Sequence, residues 1–174
     1  LIVNCAAPGH TLQRMVDRRA AGSCQRLLCA PRLAYAWDAV LLSAGGNDLI
    51  AAAATPLADA AGTPTPVAQR VLRSYDEVGH AAHASDWVSD AGWALLADHL
   101  RGHLATFVQW RNSGPSAGRP LLLHTYATPV ARPSGAGLAL QGWLYPTLLR
   151  YGVPAAWQQS VVARSTNVTS IAAP

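Results

Sequence analysis

The sequence predicts an α/β protein built on a parallel sheet, and three observations lead there. Two apolar runs, Ala39–Leu42 and Pro120–Tyr126, are continuous rather than alternating, the pattern of strands covered by helices on both faces. Between them, Trp93, Leu96, Leu100, Leu104 and Phe107 recur at spacings of three and four, which predicts a helix from Asp90 to Trp110 with one stripe facing a core. Reading outward from these segments, the order is strand, helix, strand, helix, strand, which right-handed crossovers turn into a parallel sheet.

Each element has its own warrant. Leu1–Asn4 is a short apolar run ahead of Pro8-Gly9 and reads as the end of a buried strand entering a turn. Thr11 to Cys29, with Leu12, Met15, Val16, Leu27 and Leu28, reads as a helix whose middle Gly22 and Ser23 weaken. The strand at Ala39–Leu42 ends in the small-residue turn Ser43-Ala44-Gly45-Gly46-Asn47-Asp48. Thr55 to Pro66 and Asn112 to Arg119 are loops by composition, and Thr128 to Gly142 is an irregular surface excursion. Pro154 opens a last, weaker helix.

Composition bounds the function. With 174 residues, 51% of them hydrophobic and 13% charged, the chain suffices for one domain burying about 70% of its unfolded surface. General disorder is excluded because low charge and plentiful Leu, Val and Ala can form a core, and a membrane span because no apolar run approaches the ~18 residues a bilayer requires. Three Cys, an odd number without Cys-x-x-Cys spacing, read as small buried hydrophobes rather than a disulfide framework. The net charge of +4 rests on Arg alone, since the sequence has no Lys. Its densest cluster, Arg14, Arg18 and Arg19, encloses Asp17 and lacks interleaved aromatics, so it reads as a solvated face and not as a nucleic-acid site.

Parallel sheets bind ligands beyond the carboxyl ends of their strands. Three turns belong there: Ala7-Pro8-Gly9-His10, Gly45-Gly46-Asn47-Asp48 and His124-Thr125-Tyr126. An Asn side-chain amide and a Gly backbone N–H directed into one crevice would stabilise charge growing on a carbonyl oxygen. The same four residues also suit a plain turn that caps the next helix through Asn47 or Asp48. Among the histidines, His80 and His83 follow Asp76 and Glu77, and His99 and His103 lie one helical turn apart at the edge of the apolar stripe. The first pair could offer zinc two nitrogens and a carboxylate, and the second two ligands on one helix face; both signals are weak because a site needs a third ligand and a second shell, and His99 and His103 are expected as boundary histidines without metal. Trp143 and Tyr145 are the aromatic residues best placed to line a groove; Trp93 and Trp110 are expected in the core. Asn167-Val168-Thr169 fits a glycosylation acceptor.

The stretch Asp38-Ala39-Val40-Leu41-Leu42-Ser43-Ala44-Gly45-Gly46-Asn47-Asp48 resembles the third signature block of the SGNH, or GDSL-type, serine hydrolases, in which a strand ends in Gly-x-Asn-Asp. Asn4 through Gly9 and Thr11 is similar to the second block, and Pro120 to Pro129 and Gly142–Pro146 are similar to segments that follow in a bacterial branch of the family. The resemblance spans the chain in register. It implies a flavodoxin-like three-layer α/β/α sandwich with a parallel sheet, and hydrolysis of a small carboxylic ester without a cofactor or metal. It further implies Gly9 and Asn47 as oxyanion donors, with Gly45 and Asp48 building the turn; by their place at strand ends His124, Tyr126 and Gly46 are the candidates to line the substrate site, while His124 equally suits a bond to a backbone carbonyl.

The family's nucleophile belongs to a Gly-Asp-Ser block and its base to an Asp-x-x-His block. Neither is present, and no Asp in the chain has His three residues later. The chain also opens at Leu1 without Met. These features predict one SGNH-like domain over 1–174, cut at both ends, incomplete in its sheet and inactive alone. Leu1–Asn4 and Ala39–Ser43 would then flank an empty central slot or close up and pair directly. A replacement pair of Ser43 and His124 is disfavoured, because Ser43 is expected to be buried under helices. A hydrolase-like fold serving as a non-catalytic binding module is the alternative, and a metal-dependent hydrolase on the His pairs a more distant one.

Overall fold

The computed structural model describes residues 1–17, 22–124, 128–134 and 142–166. In chain order these form α1 (Leu12–Val16), α2 (Gly22–Cys29), β1 (Val40–Leu42), α3 (Gly46–Ala53), α4 (Tyr75–Val78), α5 (Asp90–Asn112), β2 (Leu121–Leu123), α6 (Tyr145–Arg150) and α7 (Ala155–Thr166). Single 3₁₀ turns lie at Val67–Gln69 and Ala84–Trp87. The mixture of helices with parallel strands is that of an α/β protein. Contacts divide the chain into two compact units, Leu1–Asp48 with Asp98–Thr125 and Leu49–Ala97 with Tyr126–Pro174.

In the first unit, β1 and β2 pair in parallel with Val40 opposite Leu121 and Leu42 opposite Leu123. The flanking bonds Val40 N–H to Pro120 O (2.9 Å) and His124 N–H to Leu42 O (3.3 Å) extend the ladder by one step at each end. Leu42 and Ala44 enter a core with Leu12, Leu28, Phe107 and Trp110, the last two meeting edge-on at 5.4 Å. The Ser116 hydroxyl is fully buried beside this core; it accepts the Trp37 N–H at 2.9 Å and donates to the Tyr35 carbonyl at 3.0 Å.

Three expectations change here. Leu1–Asn4 is not a strand: it pairs with neither β1 nor β2, and Leu1 and Ile2 are 90% and 94% exposed. A strand needs a neighbour for its N–H and C=O groups, and β1 takes its partner from β2 instead. The two-sided burial expected of the Ala39–Leu42 run is also wrong. Leu41 is 79% and Leu122 54% exposed, so one face of the pair is open while Leu42 faces the core. Finally, Thr11–Cys29 is two helices rather than one. Asp17 leaves the helical region after Val16, and α2 begins at Gly22.

The second unit gathers Val71, Leu72, Trp87, Val88, Leu148, Tyr151, Val153, Val161 and Val162 into its interior. A buried Arg70 fastens it. The guanidinium donates to the Thr65 carbonyl (2.9 Å) and the Glu77 carboxylate, and lies 5.7 Å over the Tyr151 ring. Glu77 in turn accepts the Ser74 N–H at 2.8 Å, and the Tyr151 hydroxyl donates to the Thr55 carbonyl at 2.6 Å. Burial works against charge on Glu77, yet the bonds from Arg70 and Ser74 hold its carboxyl below the usual range. The helix predicted from Asp90 to Trp110 runs to Asn112, and the one opened by Pro154 is α7. The helix α6 lies between the irregular stretch Thr128–Gly142 and Pro154, where the sequence suggests no element.

Candidate oxyanion turn

The site predicted from Gly9, Asn47 and their neighbours belongs to the first unit. Gly9 sits in the turn Ala7–His10, closed by the His10 N–H to the Ala7 carbonyl at 3.3 Å, with φ of 77°. Gly45 has φ of 100° and releases the chain from β1 into α3; a side chain would strain both positions. One turn of α3 then reaches back to the Gly9 segment twice. Asn47 Nδ2 donates to the His10 carbonyl at 3.0 Å, and both Asp48 oxygens accept the Leu12 N–H, at 3.1 and 2.9 Å. Adjacent residues thus clamp 10–12, which bears α1 and its cap, the Thr11 hydroxyl accepting the Arg14 N–H at 3.2 Å.

An amide nitrogen carries two hydrogens, and the bond to His10 uses one of those on Asn47. Asp48 is buried, and its role is to hold Leu12 rather than to cap α3. His99 Nε2 stands 3.7 Å from Asp48 Oδ1, an ion pair whenever His99 is protonated. The His99 and His103 rings meet edge-on at 4.4 Å. Burial pushes His103 down from the ordinary imidazole range, the neighbouring His99 pushes the same way, and Asp48 opposes both. The spacing of these two histidines was visible in the sequence, but their proximity to Asp48 was not, because 51 positions separate Asp48 from His99. His103 also lines an open groove of about 450 Å³ with Thr11, Gln13, Arg14, Val16 and Asp17.

His124 follows β2, and continuing the ladder sets it across from Ser43; both residues are exposed, so the expected burial of Ser43 is incorrect. The Ser43 side chain, two positions on from Leu41, lies with it on the open face of the ladder. Gly46 opens α3 and is partly exposed. Tyr126, Arg18, Arg19 and the Asn167 triplet lie outside the described residues. Among the described residues no group of three His, Cys, Asp or Glu is placed to hold a metal ion. Cys24 and Cys29 are partly buried, as small hydrophobes should be, whereas Cys5 is exposed on the segment that failed to form a strand. Burial, then Cys5 and Cys29 nearby, push the Cys24 thiol up to about 11. Trp110 is in the core, Trp93 is only half-buried, and Trp143 is exposed.

Compared with known proteins, the chain matches no family model, no curated protein and no solved structure. No helix among the described residues is long and apolar enough to cross a membrane.

Proposed function

We propose that the chain carries the oxyanion-stabilising part of an SGNH-type carboxylic ester hydrolase on a flavodoxin-like sandwich. One observation supports this reading above the others. The Asn47 amide is bonded to the carbonyl of His10, the residue after Gly9, so the α3 turn that bears one donor named from sequence is tied to the turn that bears the other, although 37 positions separate the bonded groups. In that reading, negative charge forming on an ester carbonyl oxygen is met by the second Asn47 N–H and by the Gly9 backbone N–H. Asp48 keeps its carboxylate on Leu12, which steadies the backbone following Gly9. Gly46, His124 and Tyr126 belong to the substrate side of the site, and no metal or cofactor takes part. The acyl-accepting serine and its base come from the family's two other blocks, which these residues do not contain.

The test is enzymatic. Protein expressed from the full reading frame should release p-nitrophenol from p-nitrophenyl butyrate. Asn47→Ala should lower kcat about 10²–10³-fold with little change in KM, the cost of losing one oxyanion donor. Residues 1–174 alone should show no turnover above background. An unaffected Asn47→Ala enzyme, or no turnover from the full frame, would sink the reading.

A further inference from the structure

The groove lined by His103 plays no part in oxyanion stabilisation, and its walls have a chemistry of their own. Thr11, Gln13, Arg14, Val16 and Asp17 form one wall from α1 and its two flanking residues, and His103 enters from α5. All six belong to the first unit. The volume of about 450 Å³ lies within the ~300–1,000 Å³ range of small-molecule sites. Such sites are mostly walled by apolar and aromatic side chains, whereas here Val16 is the one aliphatic hydrocarbon side chain among the six.

The other five side chains form a balanced set of donors and acceptors. The Arg14 guanidinium only donates and the Asp17 carboxylate only accepts, while Gln13 and Thr11 do both. Burial, with His99 nearby, holds His103 below the ordinary imidazole range, so at neutral pH its ring has one donor and one acceptor. One guanidinium against one carboxylate disfavours a simple anion or cation, and a single aliphatic wall disfavours an acyl chain. A neutral ligand rich in hydroxyls matches the set, because every hydroxyl both donates and accepts. The groove is also braced on both sides by one carboxylate. Asp48 accepts the Leu12 N–H between Thr11 and Gln13, and stands 3.7 Å from His99, whose ring meets His103 edge-on at 4.4 Å.

We propose that this groove binds a saccharide, through hydrogen bonds between its hydroxyls and Gln13, Arg14, Asp17 and His103. The sugar's place in catalysis rests on the ester reading: the groove takes the alcohol half of the ester, so that the substrate is an acylated sugar. Thr11 follows Gly9 by two residues, and Asn47 and Asp48 hold the residues on either side of it. A sugar in the groove and a carbonyl at Gly9 would therefore be held by one clamped segment.

Binding is measured without turnover, on residues 1–174 themselves. Titrating isotope-labelled protein with cellobiose or xylobiose should shift the NMR signals of Gln13, Arg14, Asp17 and the His103 ring, saturating with a Kd on the order of 1 mM. Sodium butyrate and inorganic phosphate should leave those signals in place. Gln13→Ala, at an exposed position, should weaken sugar binding about tenfold, and His103→Leu by a similar factor. An unchanged circular dichroism spectrum checks that each variant is folded. The proposal is overturned if neither disaccharide shifts the signals, if folded Gln13→Ala binds as tightly as the parent, or if phosphate or butyrate saturates the groove and the sugars do not. Failure of the titration leaves the p-nitrophenyl butyrate assay of the full reading frame unaffected. Saturable sugar binding without turnover from the full frame would keep the groove as a saccharide site and remove its role in ester hydrolysis.

Discussion

Asp48 and His103 show how much a single side chain can set within the first unit. Truncating Asp48 to Ala would leave the Leu12 N–H, which belongs to a 2% exposed residue, without an acceptor. The expected cost is about 2 kcal/mol in urea unfolding, and Asp48→Asn, which keeps an acceptor oxygen, should cost less. His103 acts through pH. Its folded value lies below the ordinary 6.5, so folding favours the neutral ring. That contribution is complete above about 6.5 and is lost as pH falls and the unfolded chain takes up the proton first. Stability measured between pH 7 and pH 5 should therefore drop less steeply in His103→Gln than in the parent. At this scale sequence reasoning named Asp48 as a structural residue of the turn but not the group it holds. Its partner lies 36 positions away, and nothing in a turn motif encodes so distant a backbone N–H.

Among elements, what could be read in advance followed from how local each cause was. The α5 stripe is a property of its own residues and was read to within two positions of its end. The two strands were also visible as apolar runs, because both carry three consecutive apolar residues into one ladder. Leu1–Asn4 has the same apolar character and fails as a strand, since strand formation depends on a neighbour rather than on composition. The open face of the ladder was hidden for the same reason: continuity of apolar residues reports capacity for two-sided burial, not the presence of two covers. Substitution separates the faces. Leu42→Ala should cost about 2–5 kcal/mol by leaving a core cavity, whereas Leu41→Thr, on the 79% exposed side, should stay within about 0.5 kcal/mol. Equal losses in thermal or urea unfolding would contradict the face assignment.

For the whole molecule, the α/β class was recoverable from the order of its elements, but the division into two compact units was not. That division runs through α3 and α5 and falls in no loop, so no linker composition betrays it. Length of chain between contacts matters in time as well as in space. The Ser116 hydroxyl ties Tyr35 and Trp37 to a turn 79 to 81 positions later, which makes it among the costliest closures to achieve early in folding. Its two bonds should be absent from the transition state. Ser116→Ala should then leave the refolding rate nearly unchanged and speed unfolding about tenfold in a urea chevron, so that one small buried hydroxyl sets how long the folded first unit persists rather than how soon it forms.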